Sequence, residues 1–160
     1  MKKIEKNIRI NAPRSQIYEY LTDPSNLPEI WPSMVEVSNV KRLGEGAHSF
    51  DFIYKMAGVR FHGHAATTRV TKDKYVEVET KVGLISTFHW NYEARDGFTE
   101  VKLQVDYEVP VPLLGKLAEN VIVKLNENEC ETLLATLKDR LEVGGVAIPT
   151  QAKTQPEARR

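Results

Sequence analysis

Four histidines, one cysteine and a polar run in an otherwise apolar helix pattern are the groups here that could move protons, hold a metal or orient a ligand. In FHGHAA, His62 and His64 stand two residues apart, which puts them on one face of a strand at a spacing two metal ligands can use. No third ligand is recognisable nearby, so no metal is expected. Register decides where the pair points. If Ala57-Gly58 is a two-residue turn, Tyr54 pairs with Phe61 and both histidines face away from the neighbouring aromatics. One more loop residue would set His62 opposite Phe52, on the inner side. The first register groups Phe61 with Tyr54, and we prefer it. His89 alternates with Thr87 and Asn91 on the polar side of its strand. His48 follows Gly44-Glu45-Gly46, a turn that lacks the third glycine of a dinucleotide loop. No Gly-x-Ser-x-Gly elbow is present. Arg69 shares the face of Ala65 and Thr67, where it could meet an anionic head group or snorkel to solvent at the strand end. Cys130, being alone, excludes an internal disulfide and a Cys-based zinc cluster, and reads as a small buried hydrophobe. These groups assign no catalytic residue and no cofactor.

The polar run is KLNENECETLL, Lys124 to Leu134. Around it Leu114, Leu117, Val121, Leu125, Leu133, Leu137 and Leu141 recur at helical steps, and Gly144-Gly145 supplies a stop. The inward stripe that carries Val121 and Leu125 reaches Asn128, Glu129 and Thr132 before it returns to Leu133 and Leu137. A densely packed core would take Leu or Ile at those positions, because an unpaired buried carboxylate is costly. Two readings follow. Either the helix roofs a cavity that holds water or a ligand's polar group, or it bends or overhangs solvent at that point.

The elements that must position these groups can be read from the period. KKIEKNIRIN fits a half-buried strand, Asn11-Ala12-Pro13 ends it, and Ile17, Tyr20 and Leu21 give a short helix to Thr22. Asp23-Pro24 starts a second short helix through Leu27 and Ile30, stopped by Pro32. From Met34 to Val109 the period is two, with six strands separated by Gly44-Glu45-Gly46, Ala57-Gly58, Lys72-Asp73-Lys74, Gly83 and Asp96-Gly97. The short connections predict an antiparallel meander. Seven strands about 4.8 Å apart span roughly 30 Å, whereas one helix covers about 10 Å. The sheet must therefore curl round the terminal helix, while the short helices close one edge, and a wide curl leaves a hollow. Candidate ligand-binding residues are Phe52, Tyr54, Phe61, Val78, Trp90, Tyr92, Leu103 and Tyr107 from the strands, with Val121, Leu125 and Glu129 from the helix. Tyr54, Trp90 and Tyr107 lead, since each brings a polar group that needs a partner once buried.

Length and composition agree with one domain over residues 1–143 and a flexible, small, polar tail over 144–160. Lys plus Arg equals 22 and Asp plus Glu equals 22, so no overall positive field draws in nucleic acid or an anionic membrane. No apolar run approaches the length of a membrane span. Glu5, Lys6, Asn7 and Arg9 interrupt any secretory h-region near the start, and a cytoplasmic location is expected.

INAPRSQIYEYLTDPSNLPEIWPSMVEV resembles the entry segment of the START-like, Bet v 1-like (SRPBCC) superfamily, the polyketide cyclase/dehydrase and lipid transport group. VDYEVPVPLLGKLAENVIVKLNENECETLLATLKDRLE is similar to its last strand and long terminal helix. The resemblance runs from Met1 to about Val143. It implies an α+β helix-grip fold: a seven-stranded curved antiparallel sheet wrapped around a long C-terminal helix, with two short helices between strands 1 and 2. It also implies a hydrophobic small-molecule ligand such as a lipid, quinone, sterol or polyketide. The group includes carriers, cyclases and dehydratases, and partner-regulating proteins. Activity is therefore open between binding, proton transfer by Glu129 or a cavity histidine, and partner regulation.

Overall fold

The computed structural model describes residues 1–109 and 119–144. Its strands are β1 (Lys2–Ile10), β2 (Met34–Gly44), β3 (Ala47–Met56), β4 (Val59–Thr71), β5 (Tyr75–Val82), β6 (Ser86–Arg95) and β7 (Phe98–Tyr107). Between β1 and β2 lie α1 (Arg14–Thr22), a 3-10 turn (Pro24–Asn26) and the single-turn α2 (Leu27–Ile30); the long helix α3 is Glu119–Gly144. Asp23 caps the 3-10 turn by accepting from the Ser25 amide at 3.0 Å. The strands form one seven-stranded sheet in the order β1-β7-β6-β5-β4-β3-β2, every neighbouring pair antiparallel. This is the helix-grip architecture. The expected Leu114 and Leu117 steps and the tail from 145 onward lie outside the described residues.

Local chemistry fixes the register. Ala57 and Gly58 both have positive φ, 51° and 79°, the backbone of a two-residue hairpin turn whose twist matches the strands. Tyr54 therefore pairs with Phe61, and Asp51 with His64. The period-two alternation then sends Phe61, Gly63 and Ala65 inward and His62 and His64 outward. A bulge between Thr67 and Arg69 breaks that alternation. Arg69 is consequently exposed, with its guanidinium 4.8 Å from the Tyr75 ring centroid.

Two sets of contacts make the sheet curl round α3. Along β1, Lys6 pairs with Glu131 at 2.8 Å and Lys138 donates to the Arg9 carbonyl at 2.7 Å. Glu142 accepts from the Asn11 amide at 2.7 Å. At the other side, Arg140 meets Glu29 of α2 at 3.0 Å, and Glu129 accepts from the Ser33 amide, next to the start of β2, at 2.7 Å. The helix thus bridges β1 and the α2–β2 junction, at opposite ends of the strand order.

The phase of α3 differs from the expected one. Its buried stripe is Ile122, Cys130, Leu133, Leu134, Leu137 and Leu141, with Asn126 and Glu129 half-buried between them. Val121 and Leu125 are 59% and 44% exposed, and Asn128 and Thr132 are exposed as well. One residue of phase is 100° of rotation. Val121, Ile122, Val123 and Leu125 spread apolar side chains over more than half the circumference of this end of the helix, so packing chose the face.

Candidate functional site

Burial of the concave face leaves a cavity of about 110 Å³ between the sheet, the two short helices and α3. Alternation along each strand supplies its walls: Phe50, Phe52, Tyr54 and Met56 from β3, Val76 and Val78 from β5, and Phe88, Trp90 and Tyr92 from β6. Tyr107 closes the β7 side, and Asn126, Glu129 and Cys130 form the roof. Leu84, Ile85 and Glu108 line it where the β5–β6 turn meets the end of β7. Ile85 and Glu108 are exposed, which makes this end the mouth.

Of the residues expected from sequence, Phe52, Tyr54, Val78, Trp90, Tyr92, Tyr107 and Glu129 are brought together around the cavity. Phe61 and Leu103 are buried in the core but do not line it. Val121 and Leu125 lie on the outer face of α3 and also do not line it. Sequence reasoning missed Trp31, Met34, Thr80, Ser86 and Asn126. Trp31 carried a signal: an indole N–H in IWPS, between two helix stops, has no periodic role and needs a polar partner.

The interior is not uniformly apolar. Trp31 stands edge-on to Tyr54 and Phe88, with ring centroids 5.6 and 5.2 Å away. Its indole Nε1 and the Tyr107 hydroxyl are buried and, among the described residues, find no hydrogen-bond partner. Trp31 borders the Tyr54 hydroxyl and Asn126 borders the Tyr107 hydroxyl, each close enough to offset part of the upward push of burial on that phenol. Burial, and secondarily the Glu129 charge, pushes the Tyr54 phenol well above its ordinary range, so this hydroxyl keeps its proton. Burial pushes the Cys130 thiol up to about 12, with Glu129 adding to the effect, and no thiolate nucleophile is available. At the far end the Tyr92 hydroxyl is also unpartnered, beside Tyr18 at 6.3 Å between ring centroids. Near the mouth, Thr80 and Ser86 satisfy each other at 2.6 Å, and Thr80 donates to the Leu84 carbonyl at 2.8 Å.

The histidines stand apart from this cavity. His64 meets Asp51 at 2.8 Å on the outer face. His89 lies 2.6 Å from the Tyr75 hydroxyl and 3.3 Å from Asp106, also on the outer face. No histidine lines the cavity, and no group of three or more metal-ligating side chains occurs among the described residues.

A curved sheet gripping one long helix over an aromatic-walled hollow defines a class of proteins. The sequence matches the family described as polyketide cyclase / dehydrase and lipid transport over residues 1–142, and the chain belongs to that family. No curated protein matches it. Among solved structures it is similar to a Thermus thermophilus protein at TM-score 0.73 and 19% identity, covering 89% of this chain and 99% of that one. It is similar to the Zhui aromatase/cyclase of a Streptomyces species at TM-score 0.71 and 15% identity, with 90% and 98% covered. A START superfamily protein of Mycobacterium smegmatis gives TM-score 0.66 and 17% identity, with 88% and 97% covered. At these identities the likeness establishes the START-like helix-grip fold alone. No helix among the described residues is long and apolar enough to cross a membrane.

Proposed function

We propose that this protein binds an apolar small molecule in the cavity beneath α3, as a binding protein or carrier. The observation behind this reading is the hollow itself: an aromatic and aliphatic wall left unfilled. Burial of apolar ligand surface at about 25 cal/mol per Å² drives binding, and the few polar groups orient the ligand. Size constrains it. A dry apolar cavity of about 150 Å³ admits benzene, and this hollow of about 110 Å³ is smaller, so a single ring would enter with some widening of the wall. A quinone, sterol or polyketide would enter with one ring at the roof and the rest toward the mouth, where the wall would widen. Phe52, Tyr54, Val78, Trp90, Tyr92 and Tyr107 would touch it, with Glu129 at the polar end.

Native mass spectrometry of gently purified protein tests this. A retained apolar mass, displaced by toluene or indole, is the expected result. Protein that is empty and takes up neither compound at millimolar concentration would exclude the reading.

One observation favours a second reading, a cyclase or dehydratase. Glu129 shares the cavity wall with the protonated phenol of Tyr54, a carboxylate and a hydroxyl that could relay a proton to a polyketide-like substrate. Turnover abolished in Glu129→Gln, with binding retained, would establish it. Turnover absent from the wild type with polyketide-like substrates it binds would remove it.

A further inference from the structure

The outer face of α3 carries a pattern that the interior does not use. Val121, Leu125, Asn128, Thr132, Ala135 and Asp139 are all exposed and follow one another at alternating steps of four and three. That spacing draws one straight seam, about 27 Å long, down the side of the helix opposite Cys130 and Leu137. Only Asp139 at its end is charged, and Val121 and Leu125 are large apolar side chains left in water. A helix face made for solvent alone would carry charge at most of these positions. Val121, Leu125, Asn128 and Thr132 are the stripe whose pattern points inward in the sequence, and the fold turns it out.

The flank of the seam says what fits it. Lys124 and Glu131 are exposed, lie on one side of it and stand two turns apart, so one flank carries both signs of charge. When two copies of a helix pack antiparallel about a two-fold axis, equivalent flanks face each other. Lys124 of each copy then meets Glu131 of the other, with Leu125 against Asn128 and Val121 against Thr132 of the second copy. Sliding the pair by one heptad in either direction would set Glu131 on its own copy or Lys124 on its own copy, so charge selects the register. Glu131 already accepts from Lys6 at 2.8 Å, yet its side chain is 60% exposed and a carboxylate has room for a second donor. A membrane is a poorer match. Acidic residues outnumber basic ones along α3, and Asp139 stands in the seam itself.

We propose that the outer face of α3 is the contact surface for a second copy of this chain, packed antiparallel across a two-fold axis with Lys124 and Glu131 as reciprocal partners. The contact is one helix wide, below the roughly 1,200 Å² of stable pairs, so the dimer is weak and reversible. The seam faces away from the cavity, and pairing is therefore independent of ligand binding.

Sedimentation velocity of the full chain from about 10 μM to about 1 mM tests this. Expected is a monomer–dimer equilibrium inside that range, weakened at least about tenfold by Leu125→Lys. Lys124→Glu and Glu131→Lys should each weaken it at least about threefold, and an equimolar mixture of the two should restore it, because both opposite-charge pairs re-form between unlike copies. A short bis-maleimide should join Asn128→Cys copies and not Asp139→Cys copies, which lie more than about 30 Å apart across the axis. Cys130 is buried and does not compete. Circular dichroism at low concentration should show each variant folded, since every substituted side chain is exposed. A chain that stays monomeric to about 1 mM overturns the proposal. So does a dimer indifferent to Leu125→Lys and to both charge reversals, which would be joined elsewhere, or a mixture no stronger than either variant alone. A monomer whose binding to phosphatidylcholine vesicles is lost in Leu125→Lys would assign the seam to a membrane instead.

Discussion

Substitution of Ala65 by leucine separates a hollow interior from a packed one by the sign of a single number. Ala65 is 1% exposed, lies opposite Phe50 and Thr80 on β4, and lines the cavity. Leucine adds three carbons to that wall. With about 110 Å³ of free space they are buried without displacing neighbours, and each contributes about 0.8 kcal/mol. Lost rotamer freedom takes back about 0.5–1 kcal/mol, which leaves a net gain of about 1.5 kcal/mol. For a chain of this size that raises Tm by roughly 3–6 °C. The same carbons would fill the space proposed for the ligand, so toluene affinity should fall at least about tenfold. Differential scanning calorimetry and an NMR titration on the same sample read both. A packed interior would answer the other way, because overfilling destabilises by about 1–3 kcal/mol. A lower Tm with unchanged toluene binding would refute the reasoning.

Gly63→Ala should be damaging although the residue lies in a regular strand: a Cβ there would meet the Phe52 ring and the Val82 carbonyl oxygen. A loss of about 1–3 kcal/mol in urea unfolding is expected, and an unchanged midpoint would contradict the packing described. Cys130, held protonated by burial, should react with a disulfide reagent at pH 8 at least about a hundredfold slower in the folded than in the urea-unfolded chain. Equal rates would mean that the roof of the cavity opens readily. Asp51, hydrogen-bonded by Asn39 and His64, and Glu77, hydrogen-bonded by Thr68 and Tyr75, are both held below the ordinary carboxylate range. So is Glu142, where burial opposes the shift but Lys138 and the Asn11 amide outweigh it. The folded chain then binds fewer protons than the unfolded one in acid. Stability should be level above about pH 5 and fall as pH descends through the carboxylate range; a rise on acidification would contradict these pairings.

Most of the fold was legible because local signals agree with one another. Alternation marked the strands, glycine and Asx residues marked the turns, and Ala57-Gly58 set the β3–β4 register that turns His62 and His64 outward. The cavity wall was legible where a strand runs straight, as at Phe52, Tyr54, Trp90 and Tyr107. It was not legible at Arg69, because a bulge cannot be read from alternation, and the face inferred for that residue does not survive one. On α3 the inward face was legible at Glu129, Leu133 and Leu137 but not at Val121 and Leu125. Hydrophobicity placed Val121 and Leu125 inward, yet the face that meets the cavity carries Asn126 and Glu129. A helix that presents polar residues to a cavity violates the rule by which its phase is read, so the pattern misleads there. The polar break itself was visible in KLNENECETLL. Its face was not.

The account stands on empty apolar space beneath α3, and xenon under pressure measures such space directly, since it enters dry apolar cavities. A crystal structure of the pressurised protein should show xenon between Trp31, Phe52, Phe88 and Tyr107, lost in Ala65→Leu. A structure with no xenon inside, and with those side chains packed against one another, would contradict it.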